Sequence, residues 1–114
     1  MHEYPITQQI VSQVEQEARA QLATRVRTVT LVIGDNSGVV GDSVQLYFEL
    51  LTEGTLSEGA QLVIKPVKSQ LLCPACGAYF ERVPFSFACP HCGTDGEPSE
   101  IGRELFIESI EIEA

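Results

Sequence analysis

A chain of 114 residues has the length of one small domain, or of one domain with a short insertion. Its formal net charge is -9, because sixteen acidic residues outnumber seven basic ones, and so few cations argue against a surface that neutralises nucleic-acid phosphates. The apolar runs are only a few residues long, far short of a membrane span. We therefore expect a soluble protein that binds neither nucleic acid nor membrane.

The first part of the chain is predicted to form a helix followed by a strand. Apolar residues recur near helical spacing from Ile6 to Leu22, so an amphipathic helix is expected over Pro5–Ala23, with Pro5 in its first turn. β-branched residues dominate Arg25–Ile33 and predict a strand. A run of Gly, Asp, Asn and Ser then ends this strand in a loop.

A second helix and a second strand are predicted next. Asp42 or Ser43 is expected to cap the helix and Gly54 to close it, while the apolar residues between them follow the i, i+3, i+4, i+7 pattern. Leu62–Val67 has the composition of a strand. Because Pro66 has no backbone N–H to donate, we expect this strand to lie at a sheet edge.

The last strand is predicted over Glu104–Glu113, and its apolar pattern changes phase near Glu108-Ser109. Either a β-bulge lies at that point, or the strand is buried on both faces at its start. The order helix, strand, helix, strand, insertion, strand predicts an α+β fold. We expect a small sheet of about three strands covered by two helices, with an inserted zinc-ribbon-like module built on four cysteines.

All four cysteines lie in two C-x2-C pairs separated by twelve residues, Cys73 with Cys76 and Cys89 with Cys92. In each pair Pro follows the first Cys and Gly follows the second, which favours a tight turn that presents two thiolates to one ion. Two such turns facing each other would supply the four sulfurs of a tetrahedral zinc site.

Disulfide bonds and a rubredoxin-like iron site are the alternatives for these cysteines. The first residues lack the basic start and apolar run of a signal peptide, so we expect a cytoplasmic protein, whose thiols stay reduced. Iron stays open, because four thiolates suit either ion and the spacing alone does not choose between them. Ferric tetrathiolate is coloured and zinc is not, so colour would decide.

A site closed by four sulfurs leaves no position for a substrate, so the expected role of its metal is structural. The surrounding segment has too few apolar residues to form its own core. We expect residues 70–98 to form a zinc-binding domain, inserted into an α/β domain made of residues 1–69 and 99–114. His91, inside the second turn, is not counted as a ligand. The sequence contains no nucleophile motif or cofactor fingerprint, and we do not expect an enzyme.

His2 follows the initiating Met1 and can offer three nitrogens to one ion: the terminal amine, its own deprotonated backbone amide and its imidazole. Such a set favours Ni(II) or Cu(II), which accept square-planar or tetragonal nitrogen geometry, and Glu3 supplies an oxygen beside it. From the residues alone this is a weak signal, since most terminal histidines bind nothing.

Several motifs together resemble the HypA/HybF family of hydrogenase maturation factors over the full length of the chain. Besides the first amphipathic helix and the four cysteines, the matching motifs are Met1-His2-Glu3, Ile33-Gly34 at a strand end, Ser37-Gly38-Val39, Phe48-Glu49-Leu50 with Gly54-Thr55, and Gly102-Arg103-Glu104-Leu105. The zinc turns alone would match many unrelated proteins. Their combination with the Met-His-Glu start is specific.

This resemblance implies a nickel metallochaperone, not an enzyme, that helps insert Ni(II) into the large subunit of nickel-iron hydrogenase together with the GTPase HypB. It assigns the transferred nickel to His2, with Met1 and Glu3 contributing. It assigns structural zinc to Cys73, Cys76, Cys89 and Cys92.

A second hypothesis from the residues is a zinc-ribbon adaptor that recruits protein partners and has no nickel function. It explains the cysteines equally well and treats His2 as incidental. The sequence also leaves open whether the protein is a monomer or a homodimer, and which hydrogenase or other nickel enzyme it serves.

Overall fold

The computed structural model describes residues 3–114, so the predictions for Met1 and His2 lie outside the described residues. Within that range the chain forms two helices and six strands. In chain order they are α1 Glu3–Ala20, β1 Arg25–Gly34, α2 Gly41–Leu51, β2 Gln61–Val67, β3 Leu71–Leu72, β4 Tyr79–Phe80, β5 Glu97–Pro98 and β6 Leu105–Glu113.

The three longer strands form one sheet, the main sheet, in the order β2-β1-β6. Strand β2 pairs with β1 in parallel and β6 pairs with β1 antiparallel, so the chain returns to this sheet after the cysteine segment. The predicted fold class, with two helices and small sheets, is confirmed. Strand β2 lies at an edge, as Pro66 predicted.

The core lies between the main sheet and the two helices. Alternate residues of β1 point to the helices, as the pleat of a strand requires, and Val29 and Leu31 are fully buried there. The apolar stripe of α1 and the inner face of α2 cover them. The buried apolar residues of this core are Ile10, Val11, Val14, Ala18, Val26, Val29, Leu31, Ile33, Val44, Phe48 and Leu62.

The change of phase in the last strand is a β-bulge. Thr30 of β1 lies opposite Ser109, but the next residue, Leu31, lies opposite Ile107, so Glu108 has no partner on β1. This shift brings Ile110 back to the side of the sheet that holds Ile107, and both pack against the core. Of the two explanations for the pattern, the bulge is correct.

Helix α1 ends earlier than its apolar pattern predicts. Leu22 adopts a left-handed conformation with φ 58°, and the N–H of Ala23 donates to the carbonyl of Ala18 at 2.9 Å, which is the bond of a Schellman cap. Leu22 is 84% exposed and does not join the buried stripe. The periodicity could not reveal this, because it continues through residues that already form the cap.

The predicted cap of α2 is wrong. The capping position is Val40, one residue before the helix, and no side chain of that residue bonds the first turn. Instead the carboxylate of Glu3, 37 residues earlier in the chain, accepts a hydrogen bond from the Val40 N–H at 3.1 Å. The carboxylate of this distant residue thus accepts the hydrogen bond that a glutamate inside the first turn accepts in a capping box.

The three short strands form a second sheet, the small sheet, in the order β4-β3-β5, with both pairs antiparallel. Its core contains Cys73, Cys89 and Phe80, with Leu71 packed against them. No strand in it exceeds two residues, so backbone pairing contributes little and the cysteine turns dominate its centre.

The two segments that connect the sheets, residues 68–70 and 99–104, cross at Gly102, and Gly34 at the end of β1 lies against the same point. The carbonyl of Gly102 accepts the N–H of Asn36 at 2.7 Å, and a side chain on Gly34 would collide with that carbonyl group. Gly102 itself has φ 103°, and a Cβ atom on it would lie 2.6 Å from Ser69 Cα. A side chain on either glycine would therefore block this close approach. Neither described helix is long and apolar enough to cross a membrane.

Candidate metal centres

The two cysteine turns have the same backbone geometry. The N–H of Cys73 donates to Ala78 O at 2.9 Å, and the N–H of Cys89 donates to Thr94 O at 2.8 Å. In both turns the glycine after the second cysteine has φ near 77° and donates its N–H to the carbonyl of the first cysteine. The tight turns predicted from the sequence are present, and in each of them a left-handed glycine closes the turn around a pair of sulfurs.

The four sulfurs converge on one point, with every pair of Sγ atoms within 4.8 Å. Cys73 Sγ lies 3.3 Å from Cys92 Sγ, and Cys76 Sγ lies 3.7 Å from Cys89 Sγ, so each close contact joins the two turns. All four thiols are free. The first cysteine of each turn is buried and the second is exposed, which gives an ion an open route to the site.

These separations fit a tetrahedral ion. Zn–S bonds of about 2.3 Å in tetrahedral geometry place the sulfurs about 3.8 Å apart. Backbone N–H groups also point at the sulfurs, from Cys76 to Cys73 Sγ at 3.5 Å and from His91 to Cys89 Sγ at 3.4 Å. Such bonds stabilise thiolates, the form that binds metal. The cluster can therefore hold one metal ion such as zinc.

The thiols hold their protons unequally. The hydroxyl and backbone of Thr94 hydrogen-bond to Cys92 and lower its pKa to about 6. At Cys76 the backbone of Ala78 favours the thiolate, but hydrogen bonds with Cys73 and Cys89, partial burial and the charge of Cys73 together outweigh it and raise the pKa to about 11. A divalent cation that binds at the centre would displace the thiol protons, and its charge would compensate the charges of the resulting thiolates.

His91 contributes its backbone N–H to this cluster, while its side chain is not among the four metal-ligating groups that converge in residues 3–114. The residue is exposed.

The amino-terminal end of α1 lies against the start of α2. Besides the bond from Val40 N–H to Glu3, the rings of Tyr4 and Tyr47 meet edge to face with centroids 5.2 Å apart. Thus Glu3, a predicted nickel ligand, is held in place at a helix amino terminus. A carboxylate has about four acceptor positions, so one hydrogen bond leaves it able to bind a cation.

Two further polar contacts join distant segments, and no local pattern in the sequence indicates either of them. The buried Glu15 accepts bonds from Ser57 Oγ at 2.8 Å and from Leu56 N–H at 3.1 Å, which fixes the turn before β2 to α1. Tyr79 of the small sheet donates its hydroxyl to Glu100 at 3.0 Å. These partners are 42 and 21 residues apart, so a short sequence motif could not indicate that they meet.

A family model described as hydrogenase/urease nickel incorporation, metallochaperone, hypA matches residues 1–112 of this chain. The chain is 46% identical over 114 residues to a hydrogenase maturation factor HypA from Caldanaerobacter subterraneus subsp. tengcongensis, with 99% of this chain and 100% of that protein covered. It is 42% identical over 113 residues to the factor of the same name from Geobacter metallireducens, with the same coverage.

Two solved structures are similar to this chain over nearly their whole length. One is a solution structure of a HypA protein, with a TM-score of 0.73 and 25% identity over 98% of this chain and 96% of that one. The other is the solution structure of the nickel metallochaperone HypA from Helicobacter pylori, with a TM-score of 0.67 and 26% identity over 100% and 99% of the two chains.

Proposed function

Because this chain belongs to the HypA family of nickel metallochaperones for hydrogenase maturation, we propose that it binds Ni(II) through Met1, His2 and Glu3 and delivers the ion to nickel-iron hydrogenase. The observation that carries the proposal is the family match, which begins at residue 1 and runs almost to the end of the chain. The relatives are named maturation factors, and we propose that this chain likewise acts by binding and transfer and not as an enzyme.

The proposed nickel ligands are the terminal amine of Met1, the deprotonated backbone amide and imidazole of His2, and a carboxylate oxygen of Glu3. Nitrogen ligands in a planar array suit Ni(II). Nickel is the cargo here, and a site built from a few ligands at a chain terminus permits release, unlike a closed cage. The anchoring of Glu3 at the start of α2 supports the proposal, because the carboxylate proposed as a nickel ligand is held against a defined surface of the protein.

For the four cysteines we propose structural zinc. The separations of the sulfurs support this assignment, and a site with four protein thiolates leaves no position open for transfer. We propose that residues 70–98 act as a zinc-binding domain, inserted into a nickel-binding domain of residues 1–69 and 99–114. The small size of the Cys73, Cys89 and Phe80 core supports a role for the ion in holding this domain together.

The proposed partners are a HypB-like GTPase and the large subunit of nickel-iron hydrogenase, because nickel delivery requires a donor or helper and a recipient. We place the protein in the cytoplasm, where reduced thiols remain available to zinc. Its acidic surface, with a net charge of -9, suits protein partners and cations better than nucleic acid.

Nickel titration of the untagged, zinc-loaded protein tests the proposal. His2→Ala is expected to abolish stoichiometric nickel binding while zinc content and helix content stay at wild-type values. The matched control is His91→Ala, which removes the other histidine of the chain and should leave nickel binding unchanged. An unchanged nickel affinity in His2→Ala would reject the nickel proposal and leave the zinc-ribbon adaptor as the remaining function. The native amino terminus is essential, because a tag removes the free amine.

A further inference from the structure

A cleft of about 360 Å³ lies beside the crossing of the two connecting segments, and it gathers positive charge in a strongly acidic chain. Its lining includes Asn36, Ser69, Gln70, Arg82, Phe87 and Arg103, and we refer to it as the arginine cleft. We propose that the arginine cleft binds a carboxylate side chain of a short acidic and apolar segment on a protein partner. This proposal does not depend on nickel binding.

The two arginines of the cleft are free to accept such a ligand. Of the seven basic residues, four form ion pairs within the described range: Arg19 with Glu15, Arg27 with Glu113, Lys65 with Glu108 and Lys68 with Glu81. Arg82 and Arg103 form none within residues 3–114. The charge of Arg103 contributes to the lowered pKa of the nearby Glu100 carboxylate, but that carboxylate accepts its side-chain hydrogen bond from the Tyr79 hydroxyl. Two guanidinium groups in one cleft thus lack a directly bonded carboxylate in the described part of the chain.

Contacts within the protein hold the guanidinium of Arg82 and the backbone of Arg103 in place. The guanidinium of Arg82 lies over the ring of Phe87, 4.9 Å from its centroid, and such stacking leaves the N–H groups at its edge available. Arg103 directly follows Gly102, whose carbonyl is bonded to Asn36 N–H, and its own N–H donates to Glu100 O at 3.2 Å. A carboxylate would therefore meet one guanidinium that is already stacked and a second that extends from an ordered backbone, which reduces the entropic cost of binding.

The surroundings of the arginines favour a peptide over a small anion. Asn36, Ser69 and Gln70 supply neutral side chains that can bond a peptide backbone. The loop that carries Phe87 adds apolar surface, since Phe87 is 52% exposed and Phe85 fully exposed. A phosphate ion would use the guanidinium groups and leave this surface uncovered. Exposed aromatic groups beside arginines are typical of protein-binding sites.

The charge of the protein limits how acidic the partner segment can be. A net charge of -9 repels a long polyacidic segment at a distance, whereas the cleft attracts one or two carboxylates at short range. The ligand class is therefore a segment in which one or two acidic residues alternate with apolar ones. Because Arg82 lies between the cysteine turns and Arg103 lies just before β6, such a ligand would tie the small sheet to the main sheet.

The test uses the full-length, zinc-loaded protein and a synthetic peptide of three leucines alternating with two glutamates, with blocked ends. Binding is followed by backbone amide NMR shifts. Arg82→Gln and Arg103→Gln are each expected to raise the Kd about tenfold, because each removes about one charge-assisted hydrogen bond. The shifts should cluster at residues 36, 69, 70 and 87. A peptide with glutamines in place of glutamates should bind at least tenfold more weakly.

The matched control is Arg25→Gln, which makes the same change in net charge at an arginine that lines a different cleft. It should alter the Kd by less than about twofold, because only screened long-range charge changes there. Equal weakening by Arg25→Gln, or equal binding of the glutamine peptide, would overturn the proposal. So would inorganic phosphate that competes with the peptide at equal concentration, since the cleft would then be a simple anion site. If Arg82→Gln loses zinc, Arg82→Lys is the variant to test, because it keeps the charge and removes the forked donor. Weaker peptide binding by Arg82→Lys with zinc retained supports the proposal. An unchanged Kd refutes it.

Discussion

Eleven buried apolar residues form the core between the main sheet and the two helices, whereas the core of the small sheet contains two cysteines, one phenylalanine and part of one leucine. Strands in the main sheet run for seven to ten residues, and those in the small sheet for two. Apolar burial can therefore stabilise the first region, but it cannot stabilise the second. One short chain thus contains a region with a full apolar core and a region almost without one, and we infer that a metal ion substitutes for the core where the chain is too short to form one.

The largest expected effect comes from breaking the zinc site. Cys89→Ser should reduce zinc from about one ion per chain to almost none, because it removes a buried ligand of the cluster. Structural zinc contributes about 10–16 kcal/mol to small metal-binding folds, far more than the core around Phe80 could offset. Metal analysis measures the loss, and hydrogen exchange should show residues 71–98 deprotected while β1 stays protected.

The control for this change is Ala75→Ser, an exposed substitution inside the first cysteine turn that removes no ligand. It should retain zinc and amide protection. Persistent protection of residues 71–98 in zinc-free Cys89→Ser would contradict the comparison, since the small sheet would then be stable without metal.

Truncation of a side chain in the core that covers the main sheet should lower stability without loss of zinc. Phe48 is 1% exposed between α2 and the sheet, and Phe48→Ala is expected to lower the free energy of unfolding by about 3–5 kcal/mol. Zinc content should not change. Urea unfolding measures the effect, with Leu50→Ala as the control, because Leu50 lies on the same helix and is 57% exposed. Equal destabilisation by the two variants would show that burial of α2 does not stabilise this region.

A smaller effect is expected from the buried carboxylate of Glu15. Glu15→Ala leaves Ser57 and the Leu56 N–H without their acceptor and should lower the free energy of unfolding by about 1–3 kcal/mol. The exposed Glu17 lies two residues away on the same helix, and Glu17→Ala should change stability by less than about 0.5 kcal/mol. If the two variants unfolded at the same urea concentration, the bonds to the turn before β2 would contribute nothing to stability.

The smallest effect concerns the exposed contact between Tyr79 and Glu100. The hydrogen bond to Glu100 raises the pKa of the Tyr79 phenol. The pKa of Glu100 is lowered, mainly by a hydrogen bond from its own backbone and also by the hydrogen bond from the Tyr79 hydroxyl. The tyrosine contribution to stability is complete below about pH 10 and is lost as pH rises through the raised pKa. The glutamate contribution is present above about pH 4.5 and is lost as pH falls through the lowered pKa.

Glu100→Gln should therefore return the Tyr79 pKa toward the ordinary value of about 10, which the absorbance of the phenolate measures. Glu97→Gln makes the same change in charge nearby and should leave this titration in place. An unshifted Tyr79 titration in Glu100→Gln would mean that the contact between the small sheet and the connecting segment does not form in solution.

Much of the fold could be predicted because its signals are local. The stripe in α1, the β-branched run in β1 and the Cys-x2-Cys turns each depend on neighbours within one or two turns of chain. The bulge in β6 was visible as a change of phase near Glu108, although only the pairing with β1 distinguished it from a strand buried on both faces. The local pattern failed at Leu22, where an apolar residue at helical spacing belongs to the cap and faces solvent.

The remaining features depend on contacts between distant residues. Val40 has no polar side chain, so nothing near it indicated that Glu3 would satisfy its N–H. The approach of Gly34 to Gly102 and the meeting of Arg82 with Arg103 in one cleft likewise follow from how the connecting segments cross. At the cysteine cluster the sequence predicted which residues meet, since the spacing itself encodes the turns. The assignment of nickel to His2 remains a prediction.

The central claim is that the two metals occupy separate sites, with nickel at the amino terminus and zinc at the cysteines. Nickel and zinc K-edge X-ray absorption on untagged protein, loaded with one equivalent each of zinc and nickel, tests it most directly. We predict that nickel has only nitrogen and oxygen neighbours and that zinc has four sulfurs at about 2.3 Å. A sulfur shell around nickel, with zinc displaced from Cys73, Cys76, Cys89 and Cys92, would contradict the claim.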